Sequence, residues 1–340
     1  MAENTTHAGK ARRRTTLIGI ALIILLSAGL LGAAYQGQPR AQPLKIGIIA
    51  YPGFAPFFVA QEKGFFEKEG VQAEVVLMGD PTTAISSLAS DDVQILFSSA
   101  DFSTIVEDGG IEIKEIFASD IGYGSDGLLV KSDINTLADL KGQTVYLSLG
   151  TPSHFLLRFL AQEAGLSPSD LRLVHMEADQ VGAAFVSGNI DYGMSWEPWL
   201  SKAAERGDGK VLVSSKERPG IITDTFAVRA DTLRSRRDEV KRVVRAWFDA
   251  IEFWKTSPTE ANQIMANHLG LSSEDFASQV VTVKFLDYRE NLAKFDTSQP
   301  LNIFELTERA VAIYTEDGIL RSAIKANDIV DPSILAELYE

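Results

Sequence analysis

The chain contains no cysteine. That excludes disulfides, thiolate nucleophiles, cysteine-bound zinc and lipid attachment at a cysteine behind a leader. Histidine is nearly as scarce: His7, His154, His175 and His268 are scattered and lack the H-E-x-x-H spacing of a metal site. There is no G-x-x-x-x-G-K-[ST] phosphate loop either, and no pattern calls for a cofactor. Positive charge is in short supply. Lys+Arg 32 against Asp+Glu 46 gives a formal net charge of −14 and a pI near 4.8, which repels phosphate backbones and argues against nucleic acid as a partner.

What remains is the composition of a folded protein, 45% hydrophobic and 23% charged over 340 residues, enough for one or two substantial cores. Lys10, Arg12, Arg13 and Arg14 precede an uncharged stretch at 17–34, which reads as an export signal. About 18 residues is longer than the ~7–15 of a cleaved leader and reaches the short limit for a spanning helix. Gly32-Ala33-Ala34 also offers small residues to a peptidase. Residues 1–36 are therefore read as a signal peptide or a signal anchor held in the inner membrane. Either way the basic residues stay inside and everything beyond the 37–43 linker lies in the periplasm.

From residue 44 onward, short apolar runs alternate with helix-period segments, the pattern of α/β layering. Strands are expected at 44–50, 72–78, 93–98, 113–118, 128–131, 145–149, 171–175, 192–195, 211–213 and 225–229. Helices are expected at 56–69, 82–89, 153–164, 179–186 and 199–206, with 238–339 mostly helical. Thr136 with Asp139 reads as a capping box. Glycine-containing breaks at 122–127 and 219–224 predict two chain crossings between two lobes, 44–124 with 224–340 and 125–223. The first break formally matches G-x-G-x-x-G, but a strand follows it and not a helix, so it is not a nucleotide fingerprint.

Ligand sites in open α/β sheets lie beyond the carboxyl ends of strands. Tyr51 and Phe54, after the first strand, are candidates for an apolar wall of the cleft or for core packing. Thr82, after the second strand, and Thr151, Ser153 and His154, at a strand-to-helix turn, stand at helix starts whose free N–H groups suit an anionic group. Ser99 and Asp101 follow the third strand, where Asp101 alternatively caps a helix. Trp196 and Glu197 offer a stacking face and a carboxylate for an ammonium, or alternatively a core plug and a helix start. Asp224 sits at the second crossing, in the cleft or fixing the hinge.

Four stretches carry a family resemblance, in order and spacing over about 290 residues: Ala60-Gln61-Glu62-Lys63-Gly64-Phe65-Phe66; Leu137-Ala138-Asp139-Leu140-Lys141-Gly142; Gly150-Thr151-Pro152-Ser153-His154-Phe155-Leu156-Leu157; and Ser195-Trp196-Glu197-Pro198-Trp199. On these the chain resembles the nitrate/sulfonate/taurine-type solute-binding proteins, a group that includes binders of the thiamine pyrimidine precursor. The resemblance implies a two-lobed periplasmic-binding-protein fold of type II that closes by hinge motion. It implies a monomer that delivers a small-molecule ligand to an ABC transporter permease with its ATPase and performs no chemistry. The missing lipoprotein cysteine is a departure. Within the group the expected ligand is a sulfonate or taurine-like zwitterion, its sulfonate near Ser153 and its amine on Glu197. The alternatives are a thiamine-precursor-like heterocycle between Tyr51, Phe54 and Trp196, and a membrane-tethered periplasmic sensor. The thiamine-pyrimidine synthases that share this fold depend on a cysteine-rich segment absent here.

Overall fold

Leu44, Ile46 and Ile48 are fully buried along β1 (Leu44–Ile48), and all of β3 (Ile95–Ser99) is buried too. Both read as near-continuous apolar runs because helices cover both faces of the parallel part of the sheet. The computed structural model describes residues 42–339. β1 pairs in parallel with β2 (Ala73–Leu77) and with β3. Between them run α1 (Pro56–Glu62), α2 (Phe65–Lys68) and α3 (Pro81–Ala89), the last capped by Asp80, which accepts from the Thr83 N–H at 2.9 Å. α4 (Phe102–Asp108) leads into β4 (Ile113–Gly122).

The chain then leaves this sheet. β5 (Asp126–Lys131), β6 (Thr144–Leu147), α5 (Pro152–Glu163), β7 (Arg172–His175), α6 (Ala178–Val186), β8 (Tyr192–Trp196) and β9 (Gly209–Ser214) follow. Their strands form a separate five-stranded sheet in the order β7-β6-β8-β5-β9. The chain returns as β10 (Thr223–Arg229), which inserts between β3 and β4, antiparallel to both. Helices α7 (Ala230–Ser235), α8 (Arg237–Thr256), α9 (Pro258–Leu269) and α10 (Ser273–Val280) follow, then the short β11 (Val283–Phe285). It completes a six-stranded sheet in the order β11-β4-β10-β3-β1-β2. The described chain ends with α11 (Tyr288–Lys294), α12 (Ile303–Glu316), α13 (Ala326–Ile329) and α14 (Ser333–Ala336).

The core of the six-stranded sheet is aromatic. Trp247, on the buried face of α8, meets Phe57 of α1 at 4.8 Å, Phe117 of β4 at 5.4 Å and Phe226 of β10 at 5.6 Å. Each fully buried ring of this size contributes about 1.5–3 kcal/mol over exposure, so the cluster ties the first strands to the returning strand and the C-terminal helices. α8 is amphipathic as its sequence requires, burying Val240, Val243, Val244, Trp247 and Ile251. Its opposite face carries ion pairs such as Arg237–Glu337.

Several sequence expectations change. The helix expected at 56–69 is broken by Gly64, which adopts φ 69° and divides it into α1 and α2. β4 runs on to Gly122 and β5 begins at Asp126, so the glycine-rich break shortens to three residues. Where a helix was expected at 199–206 there is only a 3-10 turn, Ala203–Arg206. β11 is unexpected, and α4 answers only to the alternative that Asp101 caps a helix: Asp101 stands at its N-cap by position, without a side-chain capping bond. Thr136 and Asp139 do form the expected capping box. Among the described residues no helix is long and apolar enough to cross a membrane, and the 17–34 stretch lies outside them.

Candidate ligand site

The topology gathers polar side chains at one edge of each sheet. Because β10 runs antiparallel to β3 and β4, its first residues lie beside their carboxyl ends: Asp224 pairs with Ser99 on one side and with Asp120 on the other. Tyr51 follows β1 at the same edge, and its hydroxyl donates to Asp120 Oδ1 at 3.3 Å. Gly53 permits this approach, because a Cβ there would stand 2.2 Å from Asp120 Oδ2 and 2.4 Å from Tyr51 Cε1. In the five-stranded sheet, Asp126 opens β5 opposite Trp196, at the carboxyl end of β8. Ser153, in the first turn of α5, donates to Asp126 Oδ1 at 2.5 Å, and Ser125 donates to its Oδ2 at 2.8 Å.

Four carboxyl groups thus converge: Asp101, Asp120, Asp126 and Asp224, all buried. None is ion-paired with a lysine or arginine among the described residues. Burial raises the pKa of each. For Asp120, hydrogen bonds with Ser119, Asp224 and Tyr51 offset burial only in part, and the group is pushed up to about 7. Asp224 rises further. After burial, the negative charges of Asp120, Asp126 and Asp101 act on it, and among the described residues no N–H or hydroxyl donates to it. Burial, followed by the charges of Asp120, Asp224 and Asp126, also holds the Tyr51 phenol well above its ordinary value.

The two sheets are joined beside this cluster through α12. The Tyr314 hydroxyl donates to Asp101 Oδ2 at 2.7 Å and to the Thr151 carbonyl at 3.0 Å. Asp317, one turn on, binds His154 Nε2 at 2.9 Å and Arg158.

Of the residues singled out in the sequence, the fold brings Tyr51, Ser99, Asp101, Thr151, Ser153, His154 and Asp224 to this region. His154 is wholly buried and spent on structure, its Nδ1 accepting from the Gly150 N–H at 3.2 Å. Thr151 caps α5 only by position, since its hydroxyl donates to Ser148 O, and no side chain caps the first turn of that helix. Phe54 packs into the core against Phe97 at 5.3 Å and Phe226 at 5.5 Å. Thr82 stands apart on an exposed helix start that Asp80 already occupies. Glu197 commits both oxygens to its own turn, accepting from Ser201 N and Ser201 Oγ at 3.0 Å. Trp196 is 38% exposed and shares Asp179 Oδ1 with Trp199, the two indole N–H groups donating at 3.0 and 3.1 Å.

Asp120 and Asp126 were not anticipated. Asp126 lies inside the G-x-G-x-x-G break that was set aside, and Asp120 falls in the strand extension past residue 118. A carboxylate at each end of a glycine-rich crossing is the signal that would have found both.

A mixed α/β molecule of two sheets, with the chain passing between them and back, is the periplasmic-binding-protein fold. The crystal structure of the periplasmic aliphatic sulphonate binding protein from Escherichia coli superposes with a TM-score of 0.70 at 18% identity, over 87% of this chain and 93% of that one. The chain belongs to the NMT1/THI5-like family, whose profile matches residues 51–261. A Bacillus subtilis (strain 168) protein named for aliphatic sulfonates binding is 25% identical over 342 residues, covering 96% of this chain and 97% of that protein. The taurine-binding periplasmic protein of Escherichia coli (strain K12) is 28% identical over 251 residues, 72% of this chain and 73% of that protein.

Proposed function

We propose that this chain is the periplasmic solute-binding component of an ABC importer, capturing a small polar solute that carries a protonated nitrogen and presenting it to the permease and its ATPase. The observation that carries the reading is the convergence of Asp101, Asp120, Asp126 and Asp224 at the carboxyl ends of strands from both sheets. Such a site repels a plain anion and suits an ammonium, where each charge-assisted hydrogen bond contributes about 1.5–3 kcal/mol. The uncapped first turn of α5 lies next to Asp126 through Ser153 and suits an anionic group. Together they favour a zwitterion of the taurine type, in keeping with the names of the relatives. The amine belongs with the aspartates and not with Glu197. Tyr51 beside the same acids leaves a second reading open, a cationic heterocycle related to the thiamine precursors.

The two sheets are taken as two lobes, residues 44–124 with 224–340 and residues 125–223, closing in the type II manner about the crossings. The protein binds and releases; it is not an enzyme, and it works as a monomer. Residues 17–34 direct export, and fractionation of expressing cells decides between a cleaved leader and an inner-membrane anchor.

The test of the ligand reading is a thermal-shift and calorimetry screen of the purified protein against taurine, ethanesulfonate, nitrate and a thiamine-precursor pyrimidine. Binding to the native state raises apparent stability. A shift with taurine or the pyrimidine, lost in Asp126→Asn, is the expected result. A shift with ethanesulfonate or nitrate alone overturns the ammonium reading.

A further inference from the structure

Asp120 and Asp224 are cross-strand partners in antiparallel β4 and β10, both buried, with their carboxyl groups facing the same space. Ser119 Oγ donates to Asp120 Oδ2 at 2.8 Å and Tyr51 OH to its Oδ1 at 3.3 Å, whereas among the described residues Asp224 has no hydroxyl or N–H donor and its side-chain hydrogen bond is the one it shares with the Asp120 carboxyl. The titratable groups facing the pair are acidic or phenolic from every side. Tyr51 comes from the segment after β1, Asp101 from the end of β3 and Asp126 from the start of β5. One layer back, Asp101 meets Tyr314 of α12, whose ring stacks on His154 of α5 with centroids 5.3 Å apart. Two buried carboxylates this close, without a cation, do not both ionise, and one proton stays with the pair.

We propose that solute capture is coupled to proton release: the cationic nitrogen of the solute takes the place of a proton held between Asp120 and Asp224. The inference rests on the reading of this cluster as the solute site. The exchange balances in charge. An R–NH3+ group enters, the shared O–H bond breaks, its proton leaves to solvent, and the nitrogen donates to the carboxylate pair that remains. Asp224, having no other donor, is the group that gains most from the incoming N–H. The neighbouring Asp101 and Asp126 each already accept from two side-chain hydroxyls and serve to hold the field negative.

The coupling fixes a direction. Where the pair carries its proton, capture expels about one proton and affinity rises about tenfold per pH unit; above the pair's titration both effects vanish. Calorimetry with taurine as probe, at several values between about pH 5 and pH 8 and at each in two buffers of unlike ionisation enthalpy that hold that pH, reads the released protons from the difference in heats. The infrared carbonyl band of a protonated carboxyl, followed with and without taurine, reads the pair directly and needs no variant. Release of about one proton, loss of that band on binding, and absence of both in Asp224→Asn are expected. Taurine binding with identical heats in both buffers, a flat pH profile and an unchanged band overturns the exchange while leaving the solute site standing. Equal binding of ethanesulfonate and taurine, or binding of no ammonium-bearing probe at any pH, overturns the site reading and the exchange together.

Discussion

Asp317, just past the end of α12, holds Arg158 of α5 with both carboxylate oxygens, Oδ1 to Nη2 at 2.5 Å and Oδ2 to Nε at 2.8 Å. Asp317 Oδ2 also meets His154 Nε2, so one carboxylate fastens a helix of the six-stranded sheet's side to the first turns of a helix on the other. Removing one partner of a buried ion pair leaves the other charge uncompensated, at a cost of about 3–5 kcal/mol. Asp317→Asn is therefore expected to lower the unfolding free energy by several kcal/mol and to weaken solute binding, measured by urea denaturation and calorimetry. The sign with pH follows from the carboxylate. Burial raises the Asp317 pKa, but the hydrogen bonds of His154 and Arg158 outweigh it and leave the group below its ordinary value. Its stabilising contribution is present at neutral pH and is lost as pH falls through that lowered pKa, so the variant and the wild type converge in acid.

Glu115 gives a prediction of opposite sign. It is fully buried in β4, where Oε1 accepts from Ser103 Oγ at 2.6 Å and Thr225 Oγ1 at 2.8 Å while Oε2 has no partner. Burial pushes its pKa up to about 7, against the two hydroxyls. A raised carboxyl pKa means the native state holds the proton more tightly than the unfolded chain. That contribution is complete below the unfolded pKa and lost as pH rises through about 7. Glu115→Gln keeps the shape and removes the charge. It is expected to match wild type near pH 4 and exceed it near pH 8 by on the order of 3 kcal/mol in denaturant titrations.

At the rim of the five-stranded sheet, Glu197 and Trp196 separate two roles that the sequence had joined. Glu197→Gln is expected to leave taurine affinity unchanged and to cost about 0.5–1 kcal/mol through weaker acceptance from Ser201. Trp196→Ala is expected to cost under about 1 kcal/mol of stability, because the ring is partly exposed. A tenfold loss of taurine affinity in Glu197→Gln, seen by calorimetry, returns the amine to Glu197 and removes it from the aspartates.

The order of strands in the chain was legible because the apolar runs within 44–50 and 93–98 are bounded by turn residues. The two crossings were legible because glycine marks them. The candidate cluster was legible only at the ends of predicted strands, where Tyr51, Asp101, Ser153 and Asp224 stand. What stayed hidden depends on pairing between distant segments. Asp120 meets Asp224 only because β10 inserts antiparallel between β3 and β4, and no local pattern near residue 120 encodes that insertion. Glu197 stands outside the aspartate cluster for a local reason. Its carboxylate found donors in its own turn, which a free acid at a helix-like start does before any ligand arrives.

Gly53 links the fold to the site most directly. Its backbone needs no unusual dihedral, so the residue is glycine for space, with Asp120 Oδ2 and Tyr51 Cε1 inside 2.5 Å of any Cβ. Gly53→Ala is expected to displace the Tyr51 ring or the Asp120 carboxyl, lowering taurine affinity at least tenfold while overpacking costs about 1–3 kcal/mol. Gly79 is the control, since a Cβ there meets nothing within 4 Å. Gly79→Ala should stabilise slightly, by about 0.4–1 kcal/mol, with taurine affinity unchanged. Calorimetry on both variants decides the point. If Gly53→Ala binds taurine as tightly as Gly79→Ala does, the Tyr51–Asp120 contact is not part of the solute site, and the ammonium must be held by Asp126 and Asp224 alone.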